Sequence, residues 1–184
     1  EVQKFGTNDQ NVLICALWGE NSECDEYGYR SRNSGRQTDI QIDFAIRVPK
    51  GVKVGVYTAT GDIRVEDAAA EVDAVGVNGN VIVSTVGGPV NASTTNGAVR
   101  ATMGKFDLNT DLRFSSVNGS VTVEFTGDID ADIELQTTNG RFLTDFPVTI
   151  SGRIDPPRLR ATLGKGGPRI RLTTINGNVE LRKR

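Results

Sequence analysis

The sequence predicts an all-β chain, a β-solenoid of about six two-strand coils with Asn-Gly corners. Three observations predict it. The Asn-Gly pair recurs at Asn78, Asn96, Asn118, Asn139 and Asn176, and a degenerate copy, ATGDI, has Thr60 in the Asn place. From Thr60 onward the steps are 18, 18, 22, 21 and 37 residues, the near-fixed period of a repeat architecture. The residues flanking each pair alternate apolar and polar in one common phase. Composition agrees: 21 Gly in 184 residues against 7 Phe, 3 Tyr and 1 Trp favours strands and tight turns over helices.

Residues 1–50 lack the motif and read as an N-terminal strand cap, needed because an end coil otherwise exposes its core and its strand edge. An apolar run from Val12 to Trp18 leads into a polar loop reaching about Gln37. An alternating strand follows, with Ile40, Ile42, Phe44, Ile46 and Val48 on one face. Cys15 and Cys24 flank the polar segment WGENSE. In an all-β chain such a pair suggests a disulfide and an oxidising compartment, periplasmic or extracellular; two packed free thiols are the alternative. With no His in the chain, zinc binding through these cysteines is not expected.

Residues 51–184 carry the repeats, and alignment on the Asn position sorts them into columns. Six residues before it stand Val54, Val72, Val90, Leu112, Ile133 and Ile170; four before it stand Val56, Ala74, Ala92, Phe114, Leu135 and Leu172. Two before it the residues are small: Thr58, Gly76, Thr94, Ser116, Thr137 and Thr174. Three after it come Ile63, Val81, Val99, Val121, Phe142 and Val179, and five after it Val65, Val83, Ala101, Val123, Thr144 and Leu181. This period of two marks strands with one buried face. The intervening positions are polar, among them Asp73, Asn91, Arg113, Glu134 and Arg171 five before the corner. The small column fits a narrow edge where two sheets converge. The column four before the corner grows from Ala to Phe and Leu, so the core is expected to thicken toward the C-terminus.

Taken singly, Asn-Gly between alternating segments is also the strongest short hairpin signal, so an antiparallel hairpin meander or a β-sandwich is the rival architecture. The common phase of the columns favours stacked coils. Stacked corners would also let Asn78, Asn96, Asn118, Asn139 and Asn176 hydrogen-bond along a ladder.

The long last step contains an insertion at about residues 147–168, read as two short strands around Asp155-Pro156-Pro157. It is basic. Residues 150–184 carry 9 basic and 2 acidic side chains, a balance of +7, whereas residues 51–149 carry 6 basic and 13 acidic, a balance of −7. Such an asymmetry can steer association with an acidic partner or an anionic surface, and a solvated basic end is the plainer reading. Arg153, Arg158, Arg160, Lys165 and Arg169 are therefore candidate partner-binding residues. Trp18, Tyr27 and Tyr29, close in sequence to the cysteine loop, form a second candidate patch.

The TxNGxV-type repeats, the VPKGVKVGVYTATGDIRVED stretch and the upstream VLICALW resemble the bacterial DUF4097 family, described as adhesins with β-strand repeats. The resemblance spans most of the chain and is weakest at residues 19–37. It implies an exported bacterial protein with a right-handed β-solenoid body and no established catalytic activity, so no residue inherits a chemical role.

The residues themselves offer little chemistry. Absence of His removes the usual general bases and triads, and no GxSxG, GxxxxGK[ST], HExxH or Rossmann glycine pattern occurs. GKGGP at 164–168 reads as a turn. Asp128, Asp130, Asp132 and Glu134 alternate with apolar residues and are expected to line a solvated strand face; one straight strand cannot wrap a hard cation. A polysaccharide-active β-helix enzyme would need longer loops and more exposed aromatics. The expectation is a non-enzymatic protein without cofactor or metal. Its expected role is that of a structural, membrane-extrinsic subunit docking onto a larger envelope or membrane protein complex, respiratory or photosynthetic for example. The alternative is an adhesin-like ligand- or surface-binding module. No nucleic-acid partner is expected, and no stretch is apolar enough for a spanning helix.

Overall fold

The computed structural model describes residues 2–5, 7, 11–17, 22–25, 28–31, 41–104, 109–149 and 157–184. They fall in two compact units, Glu1–Arg47 and Val48–Arg184. In the first, β1 (Val2–Phe5) pairs antiparallel with β2 (Asn11–Ile14), and β3 (Ser22–Asp25) pairs antiparallel with β4 (Gly28–Ser31). Cys15 and Cys24 are joined in a disulfide. Residues 41–49, expected as a strand, join no ladder, and Ile42, Phe44, Ile46 and Val48 are all exposed. Alternation marks which face a strand would bury, but it does not by itself supply the paired edge that a strand also needs.

In the second unit the chain alternates between two sheets. The strands are β5 (Val54–Thr60), β6 (Ile63–Ala68), β7 (Val72–Asn78), β8 (Val81–Thr85), β9 (Val90–Asn96), β10 (Val99–Met103), β11 (Leu112–Asn118) and β12 (Val121–Phe125). They continue with β13 (Ala131–Asn139), β14 (Phe142–Thr144), β15 (Arg158–Leu163), β16 (Arg169–Asn176) and β17 (Val179–Lys183). One sheet has the order β15-β13-β16-β11-β9-β7-β5 and the other β14-β17-β12-β10-β8-β6. Within them every pairing is parallel except β13 with β15. This is a solenoid-like arrangement, and the hairpin meander is excluded: β7 and β8, which flank Asn78-Gly79, lie in different sheets.

The corner explains why the pair is Asn then Gly. The glycine takes the positive φ, 148° at Gly79 and 152° at Gly97, while the Asn does not. A Cβ on Gly97 would collide with the carbonyl oxygen of Gly79 in the adjacent coil, so stacking also demands the bare backbone. Corner N–H groups are then used between coils: Gly79 N donates to Asn96 O at 2.9 Å and Gly97 N to Asn118 O at 3.0 Å.

The aligned columns form the core. Val72, Val90, Leu112, Ile133 and Ile170 are buried, as are Ala74, Ala92, Phe114, Leu135 and Leu172 and, from the other sheet, Val81, Val99, Val121 and Val179. Larger side chains gather around β11 to β13, where Phe125 meets Phe146 edge-on at 6.5 Å between centroids. The small column has a second use that steric reasoning missed. Thr94, Ser116, Thr137 and Thr174 are buried, and each hydroxyl donates to a corner-glycine carbonyl in the neighbouring coil at 2.8–2.9 Å.

The stacking order corrects the sequence reading. The C-terminal strands β16 and β17 do not extend the stack; they lie between the coil of β11 and β12 and the coil of β13 and β14. Columns in equal phase offer equivalent edges, so phase alone cannot rank neighbours. The connection ranks them. After β14 the chain returns along the outer edge of β13 as antiparallel β15, then crosses over the start of β13 to enter β16 on its other side. GKGGP is that crossing. Lys165 N donates to Asp130 Oδ1 at 2.9 Å and Asp132 N to Pro168 O at 3.2 Å. Gly164 and Gly166 take φ of 57° and 79°, and a Cβ at Gly164 would collide with the Asp130 carboxylate.

Candidate functional site: an arginine cluster around Glu134

The crossing places β13 between two basic strands. Ile133 and Leu135 point to the core, so Glu134 stands on the opposite face, where sequence reasoning expected a solvated carboxylate. Instead it is 5 % exposed. In register it faces Arg160 on β15 and Arg171 on β16. Arg171 Nη2 lies 2.7 Å and its Nε 3.0 Å from Oε2, while Arg158 Nε at 3.2 Å and Arg160 Nη2 at 3.3 Å reach Oε1. Burial by itself would push the Glu134 carboxyl up; the hydrogen bonds and charges of Arg171, then Arg160, more than offset it and hold the carboxyl below its ordinary 4.5.

Three guanidiniums against one carboxylate leave positive charge uncompensated. The arginine side chains are 46 %, 68 % and 38 % exposed for Arg158, Arg160 and Arg171, so they still face solvent. Arg113 on β11 continues the row, directly opposite Arg171, and has no carboxylate partner among the described residues. A shallow cleft of about 330 Å³ opens beside Glu134, lined also by Asp132, Arg160, Thr162 and Arg169. Chemically the arrangement can recognise carboxylates or other planar anions through forked N–H donors.

The other sequence candidates distribute as follows. Lys165 sits in the crossing loop, and Arg169 opens β16 with its backbone N donating to Asp111 Oδ1 at 2.8 Å. Arg153, Trp18, Tyr27 and the side chain of Tyr29 lie outside the described residues. The acidic series does not form one strand face, because β13 begins at Ala131. Asp128 pairs with Lys183 at 2.7 Å, Asp130 holds the crossing loop, and Asp132 accepts from Thr162 Oγ1 at 3.0 Å. Among the described residues no group of three His, Cys, Asp or Glu is placed to hold a metal ion.

The five corner asparagines do form a side-chain ladder. Nδ2 of Asn96 donates to Oδ1 of Asn78, Asn118 to Asn96, Asn176 to Asn118, each at 2.8 Å, and Asn139 to Asn176 at 2.7 Å. A shorter series two residues past the corner was missed: Asp62 Oδ1 accepts from Asn80 N, and Asn80 Oδ1 from Ala98 N, at 2.7 and 2.9 Å. Arg113, Arg171 and Glu134 were missed as a site although they occupy one column, five before the corner; the column was the signal, and only their charge was needed to read it.

Among the described residues no helix is long and apolar enough to cross a membrane. Comparison with curated proteins and with solved structures returns no match to this chain. A family model described as Toastrack DUF4097 matches residues 33–182, and with that span covering most of its length the chain belongs to the Toastrack DUF4097 family.

Proposed function

We propose that the chain is a non-enzymatic scaffold module: a right-handed β-solenoid of about six coils that docks by its basic face onto an acidic patch of a larger envelope or membrane protein complex. The observation that carries this reading is the row Arg113–Arg171–Glu134–Arg160, in which a single buried carboxylate organises guanidiniums it cannot neutralise. Arginines held by such a carboxylate lose little further freedom on binding, which favours a protein surface rich in Asp and Glu. The Cys15–Cys24 disulfide supports an oxidising location, periplasmic or extracellular, where the module is peripheral to the membrane.

Native purification from solubilised membranes at low and high salt tests the role. Co-migration with integral membrane subunits, weakened by salt, is the expected result. Recovery of an unassociated monomer alone would sink it and turn attention to the adhesin-like reading. Arg158 and Arg160 are poor probes of the surface because they hold Glu134. Charge reversal at Arg113, Lys165 and Arg169 leaves those ion pairs in place and is expected to abolish co-migration; unchanged association removes this face from consideration.

A further inference from the structure

The corner ladder has a direction, and its two ends differ. Five corner glycines donate their N–H to the corner carbonyl of the next coil: Gly61 to Asn78, Gly79 to Asn96, Gly97 to Asn118, Gly119 to Asn176 and Gly177 to Asn139, all at 2.8–3.0 Å. Gly140 is the corner glycine of the last coil in space. Its ladder neighbour on the outer side, β15, is antiparallel and its register with β13 ends at Gln136 opposite Arg158. Among the described residues the Gly140 N–H therefore has no acceptor, and Asn139 and Gly140 are both exposed. At the opposite end the corner is Thr60-Gly61, without an Asn, and its N–H is bonded.

Asn-Gly is the dipeptide in which the following backbone nitrogen most readily attacks the side-chain amide, since glycine offers no Cβ to hinder it. The attack needs a free N–H that solvent base can deprotonate and an Asn side chain able to turn toward it. Corners inside the ladder fail on both counts: the glycine N–H is engaged, and Asn96, Asn118 and Asn176 each hold neighbours through both Nδ2 and Oδ1. Asn78, the first rung, is held by Nδ2 to Ala59 O and by Oδ1 from Asn96. Asn139 is tied by one side-chain bond, to Asn176.

We propose that Asn139 is a self-modification site, at which the chain deamidates selectively through its own backbone. The Gly140 nitrogen bonds to Cγ of Asn139 as the Cγ–Nδ2 bond breaks; Nδ2 leaves as ammonia, the Gly140 proton passing to it through solvent. Water then opens the cyclic imide at either carbonyl, giving aspartate or isoaspartate with no change of oxidation state. The product places a carboxylate where Nδ2 had donated to Asn176 Oδ1, so two acceptors face each other and the end corner loosens. The four remaining Asn-Gly pairs are protected by the stack itself.

The test incubates the native chain at mildly alkaline pH and follows each of the five corner peptides by mass and by isoaspartate content. A parallel sample is held in denaturant. Asn139 is expected to convert about tenfold faster than any other corner in the native chain, the factor imposed by about 1.4 kcal/mol of local opening. In denaturant the five corners converge, which separates structural protection from local sequence effects. Equal native rates, or a different corner leading, overturns the proposal.

Discussion

Replacing Glu134 by Gln keeps shape and removes charge, and it probes the interaction on which the end of the stack depends. Removing one member of a fully buried ion pair costs about 3–5 kcal/mol, because the partner charge is stranded. Here the partners are Arg158, Arg160 and Arg171, whose side chains are 46 %, 68 % and 38 % exposed and can recover solvent. The amide oxygen of Gln also retains an acceptor. The expected loss is therefore about 2 kcal/mol. For a unit the size of residues 48–184 that corresponds to a melting point lowered by about 4–8 °C. Urea unfolding followed by far-UV circular dichroism measures it. A double-mutant cycle with Arg171→Met then isolates the strongest pair, with a coupling of about 1–2 kcal/mol expected. If Glu134→Gln falls within about 0.5 kcal/mol of the parent, the carboxylate behaves as a solvated surface group and the reasoning fails.

The same carboxylate sets a pH dependence. Because its folded-state pKa is depressed, its contribution is complete above the ordinary value of 4.5 and is lost as pH falls from there through the folded value. The gap in urea midpoint between parent and Glu134→Gln should shrink on acidification, and a constant gap contradicts the assignment. Thr174→Val removes a hydroxyl that is 1 % exposed and donates to Gly119 O, and should cost about 1–2 kcal/mol. Thr58→Val, on the more open end coil, should cost little; equal losses at both sites would deny the hydroxyl ladder its role. Stacking order is checked with cysteine pairs and a short thiol cross-linker. Ser115→Cys with Thr173→Cys should link, since these residues are register partners, whereas Ser115→Cys with Gln136→Cys spans two strand spacings, about 9.6 Å, and should link poorly. The reverse pattern would restore stacking in sequence order.

What the sequence disclosed and what it concealed divide along a physical line. Burial of Val72, Val90 or Leu172 depends only on the phase of alternation about the corner, a local property, and the columns predict it correctly. Which coil lies beside which depends on a connection through residues 145–168, and nothing in the columns distinguishes the edge of β11 from that of β13. Residues 41–49 have the alternation of a strand and form none, because pairing is settled by an available edge rather than by pattern. The charged site inherits this non-local origin. Had the coils stacked in sequence order, the register at five residues before the corner would set Glu134 between Arg113 and Arg171. Insertion of β16 keeps Arg171 beside Glu134 but moves Arg113 one strand further away, while β15 brings Arg158 and Arg160 to the other side. Which arginines hold Glu134, and which one stands apart, is thus a product of topology. A variant that restored sequence-order stacking should bring Arg113 beside Glu134 and remove Arg158 and Arg160 from it, even with every arginine retained.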